Sequence, residues 1–286
     1  MTGRLLPVAA LVVVVIDATL LATGVIGPAT ALALFLAVEI PLFALAVGDY
    51  VRRYRHHRAG AHNRRDALRA LAAADPFLRM MAAEARTFAS LGRWIARRPD
   101  VPAGAVAIGY SRGTLGIPIA LSVAAGIELV AVHLLIPWPA VRLVLDLLGV
   151  YALLMILGLL AGRIVRPHLL VGGELVLRSG PHVCARVPLD AIARVRLDRH
   201  LGSGGAEVID DDNNDDNNAV LSLAGPDGTS VSLDLTRAVA ASVPSYPWSA
   251  PELRQLCSIR LHVDDPDSAV ALIRARLGAG SRGRGF

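Results

Sequence analysis

Four stretches of the chain run apolar over the length a bilayer demands: Leu5 to Ile26, Ala29 to Val51, Leu115 to Trp138 and Val141 to Ile164. A helix rises about 1.5 Å per residue, so about 20 apolar residues cross a hydrocarbon core. Gly27-Pro28 separates the first two stretches, and Pro137-Trp138-Pro139 the last two. Links that short return each helix beside its predecessor, which predicts two transmembrane hairpins. The first run follows Arg4 but stays apolar beyond the length of a signal peptide core and lacks a clear small-residue cleavage site, so it reads as a retained helix.

Polar residues then orient the hairpins. Val51 is followed by Arg52, Arg53, Arg55, Arg58, Arg64, Arg65 and Arg69, and the fourth run ends in Arg163 and Arg166. Arginine near span ends favours the cytoplasm. Both termini and the loop 52–114 are therefore expected inside, with Arg142 as the single exception on the outer side. Within that loop, Asp75-Pro76 supplies an N-cap and a proline at the first helical position, and Pro99 follows Arg98, predicting a helix between them. On a helical wheel Phe77, Met81, Phe88, Leu91 and Ile95 share one face, and Arg79, Arg86, Arg93 and Arg97 share the opposite one. Two readings stand side by side: the helix lies on the inner leaflet, with those arginines on anionic lipid headgroups, or it packs on the bundle with a solvated arginine face. Glu84 interrupts the apolar stripe.

After His168 the period changes from helical to alternating. Glu174 to Arg178, His182 to Val187, Ile192 to Asp198, Val220 to Ala224, Val231 to Leu235 and Ile259 to Val263 read as short strands, punctuated by Ser179-Gly180-Pro181 and Gly225-Pro226-Asp227-Gly228. Asp267 to Leu277 reads as a closing helix. The expected architecture is an α-helical membrane bundle of four transmembrane helices, followed by a mainly-β barrel or sandwich closed by one helix. The expected domains are 1–51, 52–114, 115–166 and 167–279, with a flexible tail over 280–286.

The segments Glu174-Leu-Val-Leu-Arg-Ser-Gly180, Val187-Pro-Leu-Asp-Ala-Ile-Ala-Arg-Val195 and Val263-Asp-Asp-Pro-Asp-Ser-Ala-Val270 resemble bacterial PH-like domains. The resemblance covers roughly the last 110 residues and implies a binding or assembly role rather than an activity. Eukaryotic relatives often hold phosphoinositides by basic residues near the first strand turn, where Arg178, His182 and Arg186 stand here; the usual strong basic cluster is missing. The stretch Glu207 to Asn218 departs from the pattern as a polar insertion.

Composition sharpens this picture. The chain of 286 residues is 54% hydrophobic with mean hydropathy +0.51, far above a soluble average. All 29 counted Lys and Arg residues are Arg, so every such charge is permanent and lysine chemistry is excluded. The net charge of +5 includes the acidic tract Glu207, Asp210, Asp211, Asp212, Asp215 and Asp216. That tract lacks the glycine and the terminal glutamate of an EF-hand loop and reads as a solvated loop. Cys184 and Cys257 have no metal-ligand spacing and read as reduced thiols. No cofactor, metal site or nucleic-acid partner is expected.

Candidate chemistry is sparse. Gly109-Tyr110-Ser111-Arg112-Gly113 follows a short strand pattern, Ala105 to Ile108, and matches the G-x-S-x-G elbow of hydrolases, but the helix after it is a bilayer span and no alternating α/β sheet surrounds it. Val47-Gly48-Asp49 lies at an inner helix end and reads as an interfacial carboxylate beside Arg52 and Arg53. Asp17, Glu39 and Glu128 lie near the midplane of three spans by chain counting, where ionisable groups are costly. Convergence would raise at least one carboxyl pKa and build a proton relay or cation site, while separation would leave three polar groups joining helices. His133 and Asp146 are expected to pair locally, with each other or with Arg142. The leading expectation is a non-enzymatic, multi-pass plasma-membrane protein whose cytoplasmic PH-like domain binds or scaffolds a protein partner, a second copy or the leaflet. The alternative is a small proton- or cation-coupled transporter using the midplane carboxylates, and behind it a membrane-embedded hydrolase.

Overall fold

The computed structural model describes the chain except residues 1–11, 14–15, 18, 21–22, 61, 203, 211–218, 244–248, 250–251 and 283–286. Most of the expected first span, the acidic tract from Asp211 to Asn218 and the last four residues thus lie outside the described residues. The chain forms two compact units, Met1–Leu78 and Arg79–Phe286.

The first unit is helical. Helix α1, Pro28–Ala59, starts with proline at its first position and runs past Val51, so that its last turns carry the arginine cluster. Asp49 pairs with Arg52 at 2.8 Å and with Arg53 at 2.6 Å, as its place at the helix end leads one to expect. Helix α2, Arg64–Ala74, is capped by Asn63, whose side chain accepts from the Asp66 amide. Asp75 then caps helix α3, Pro76–Ile95, by accepting from the amides of Phe77 and Leu78, and it also takes a hydrogen bond from Arg53. Helix α3 stops before the expected Arg98: Arg97 takes a left-handed φ of 52°, and the Arg98 amide returns to the Arg93 carbonyl.

In the second unit, α4 (Gly116–Leu135) and α5 (Pro139–Val165) form the expected hairpin. Leu129 of α4 lies directly over Gly149 of α5. Among the described residues, three helices are long and apolar enough to cross a membrane: α4, α5 and Ala33–Ala59 within α1.

Small residues decide how α3 sits on α5. Its buried positions are Ala83, Thr87, Ser90 and Leu91, and the facing residues on α5 are Gly158 and Gly162, one helical turn apart. A Cβ on Gly158 would stand 2.6 Å from Thr87 Cγ2 and 3.0 Å from the Thr87 carbonyl oxygen. Backbones approach this closely only over small side chains. The structure therefore favours packing on the bundle for α3, through a face the wheel had left between its apolar and basic sides. Met81 and Ile95 remain exposed.

The sheet has nine strands in the order β1-β2-β3-β4-β8-β9-β7-β6, with β5 also paired to β8. They are β1 Val106–Ile108, β2 His168–Val171, β3 Glu174–Ser179, β4 His182–Pro188, β5 Ile192–His200, β6 Gly205–Asp210, β7 Ala219–Ala224, β8 Thr229–Ser242 and β9 Leu253–Leu261. Every described pairing is antiparallel except β7 with β9. Leu175, Leu177, Val187, Leu221, Leu233, Leu256 and Ile259 are fully buried in its core. Helix α6, Pro266–Arg282, closes that core with Ala269, Val270 and Ile273, starts on an Asp265 cap and is latched by Arg274, which donates to the Val195 carbonyl.

Three corrections follow. Strand β1 belongs to the expected loop 52–114, so the sheet does not begin at residue 167; a fragment starting there would leave the β2 edge without its partner. Strand β6 occupies part of the expected polar insertion and pairs residue for residue with β7. Residues 280–282 of the expected tail are helical, being the last turn of α6.

Candidate functional site

Where α5 ends and the sheet begins, only Arg166 and Pro167 intervene, and charged side chains from four elements gather there. Arg93 of α3 donates to Asp100 at 2.6 Å. Arg178 of β3 stands 3.6 Å from the same carboxylate and also donates to the Asp100 carbonyl at 3.0 Å. Arg166 reaches the Pro181 carbonyl and the Arg86 carbonyl, while its Nε is enclosed with no hydrogen-bond partner among the described residues. Burial and the surrounding cations lower the Arg166 pKa, against the pull of Asp100. Burial, then Arg86 and Arg166, push His182 down as well. Three guanidinium groups, those of Arg93, Arg166 and Arg178, thus share one carboxylate, which leaves a surplus of positive charge.

Beside this cluster His168 is completely enclosed. Its Nδ1 accepts from the Arg178 amide at 3.0 Å, which places the proton of the neutral ring on Nε2. Tyr110 stacks on the imidazole with ring centroids 4.5 Å apart, and its hydroxyl accepts from the Gly180 amide at 2.8 Å. Burial, reinforced by Arg178 and His262, pushes His168 down to about 3. Burial pushes the Tyr110 phenol up to about 12. Neither group can exchange protons near neutral pH, so this nest is a fastening rather than an acid–base pair.

A pH dependence follows. The folded pKa of His168 lies below its ordinary value of about 6.5, so the unfolded chain binds more protons between pH 6.5 and 3. The stability it contributes is complete above about pH 6.5 and is lost as pH falls towards 3, by at most about 1.4 kcal/mol per pH unit. His168→Asn keeps an acceptor for Arg178 and removes the titration. Its melting temperature is expected to fall less steeply between pH 6.5 and 4 than that of the parent; an equal slope would contradict this account.

The hydrolase-like segment is used for docking. The Arg112 amide donates to Asp264 at 2.6 Å, the Asp264 amide donates to the Gly109 carbonyl at 2.8 Å, and His262 Nε2 lies 3.0 Å from the Arg112 carbonyl. The nearby imidazole is thus committed to backbone, and no hydrogen bond joins Ser111 to a base among the described residues. Cys184 is buried, and its pKa is raised to about 11; Cys257 is an exposed free thiol.

Of the expected midplane carboxylates, Asp17 and Glu39 belong to the first unit and Glu128 to the second. Asp17 is helical and half-buried, with one carboxylate oxygen enclosed and unpartnered among the described residues. Glu39 lies on α1, but its side chain falls outside the described residues. Glu128 stands exposed on α4. His133 Nδ1 and Asp146 Oδ2 make the expected local pair at 2.8 Å. Of the arginine face, Arg86 and Arg93 join the cluster, Arg79 is half-buried and Arg97 terminates the helix. Asp100, Tyr110 and His168 were missed by sequence reasoning; the only signal was the Arg166-Pro167-His168 step between two apolar runs. No family model, curated protein or solved structure matches the chain.

Proposed function

We propose that this chain is a multi-pass plasma-membrane protein with cytoplasmic termini, whose PH-like domain presents a binding surface to a protein partner or to the inner leaflet. The observation that carries the reading is the direct, hydrogen-bonded union of sheet and hairpin. Strand β1 precedes α4, strand β2 follows α5, and the two strands pair with each other. The Asp100 amide donates to the Val165 carbonyl at 2.7 Å, and Arg163 donates to the Thr114 carbonyl. A surface held this way keeps one attitude to the bilayer, which suits scaffolding. The arginine surplus at the junction agrees with an inner-side placement.

Cys257 tests the placement without any substitution. An impermeant thiol reagent should label it only after the cells are permeabilised, and labelling in intact cells would overturn the topology. Proteoliposomes loaded with a pH-sensitive dye test the role. The full chain should add no proton flux, whereas a flux abolished by Glu128→Gln would establish the transporter reading instead.

A further inference from the structure

Helices α3, α4 and α5 and the β3–β4 turn enclose a cavity of about 520 Å³, within the size range of small-molecule sites. Met80 of α3, Leu121 of α4 and Met155, Ile156 and Leu159 of α5 give it apolar walls. Its other end is polar, with Arg163 and His182 in the wall. Arg86 and Arg166 stand close enough behind His182 for their charges to bear on it.

The order of these groups along α5 matters. Met155, Leu159 and Arg163 follow one another at single helical turns, so the cavity grades from apolar, towards the middle of the helix, to cationic at its end. A leaflet lipid has the same grading, with its chain towards the midplane and its phosphate at the surface. One carboxylate, Glu84, also lines the wall, with the Tyr151 hydroxyl beside it. At the cationic end Asp100 is the shared counter-charge for Arg93, Arg166 and Arg178, so the surplus there is positive.

We propose that the cavity seats one acyl chain of an anionic phospholipid from the leaflet, with its phosphate at the Arg86, Arg163, Arg166 and His182 end. Guanidinium groups match phosphate oxygens as forked donors, and a zwitterionic lipid would gain less from the surplus charge. The inference rests on the reading that α4 and α5 span the bilayer, and it assigns that bundle a specific lipid.

The test uses the full chain purified in detergent. Dioleoyl phosphatidylglycerol should raise its melting temperature by several degrees more than dioleoyl phosphatidylcholine at equal mole fraction, and inorganic phosphate should do neither. Leu121 and Leu159 are 53% and 51% exposed, so Leu121→Trp and Leu159→Trp can place bulk in the cavity mouth without entering a sealed core. Each, once shown to melt like the parent without lipid, should need about tenfold more phosphatidylglycerol for the same shift. Arg86→Gln combined with His182→Gln should narrow the difference between the two lipids. Equal responses to both lipids in the parent, or parent-like responses in both tryptophan variants, would overturn the proposal. A phosphate effect equal to that of phosphatidylglycerol would overturn the lipid and leave an anion site. The readout does not depend on which side of the bilayer the sheet occupies, so a reversed topology in the Cys257 labelling and a missing lipid response are separate failures.

Discussion

Gly228→Ala is expected to cost about 3–5 kcal/mol and to unfold the sheet at temperatures where the parent is intact. Gly228 closes the turn Gly225-Pro226-Asp227-Gly228, in which Gly225 and Gly228 exchange both backbone hydrogen bonds, at 2.8 and 3.1 Å. Its φ of +92° lies where side chains are strained, and a Cβ there would overlap the carbonyl oxygen of His200, which is backbone and paired across from Thr229. Strain and collision therefore act together. Gly104→Ala separates them, because Gly104 has φ +78° but no atom within 4 Å of the added carbon. It should cost only about 1–2 kcal/mol. Thermal unfolding followed by the β signal checks both, and equal losses at the two positions would show that collision with His200 contributes nothing.

Gly158→Ala is expected to destabilise the second unit by about 1–3 kcal/mol by pushing α3 off α5. The added carbon would meet Thr87 Cγ2 at 2.6 Å and the Thr87 carbonyl oxygen at 3.0 Å, and the carbonyl cannot yield unless the helix moves. Thr87→Ser removes the methyl but keeps a hydroxyl for the Ala83 carbonyl, which Thr87 Oγ1 now reaches at 3.0 Å. The double variant should recover part of the loss and not all of it. Gly126→Ala on α4 is the control, with open space around its new carbon and a gain in helix propensity. A neutral Gly158→Ala would mean that α3 is not held by this close approach.

These two glycines mark the border between what the sequence announces and what it conceals. The long apolar helices were legible because their length matches bilayer thickness, and β3, β4, β5 and β7 were legible as short apolar or alternating runs bounded by turn residues. The Gly225–Gly228 turn carried its own signal in Pro-Asp-Gly. Strand β2 was hidden because His168–Val171 continues the apolar run of α5 without alternating. Strand β6 was hidden because glycine and acidic residues surround Val208 and Ile209. The face of α3 that packs on Gly158 is made of Ala83, Thr87 and Ser90, which score as neither core nor surface on a wheel. The arginine cluster was out of reach altogether, since Arg93, Asp100, Arg166 and Arg178 meet only after three elements have folded between them.

Strand β1 pairs with β2, and everything between them is the helical pair α4 and α5. In the logic of chain connectivity that pair is the loop of a β-hairpin, enlarged until it can traverse a lipid layer. During synthesis Val106 emerges long before Leu170, its partner, and the whole helical pair is made before the two can meet. The sheet's first edge is therefore completed only after both helices exist, which ties the closure of the sheet to the helical pair. Conversely, a tight two-residue turn joining Ile108 to His168 would keep the same pairing register with no helices between the two strands.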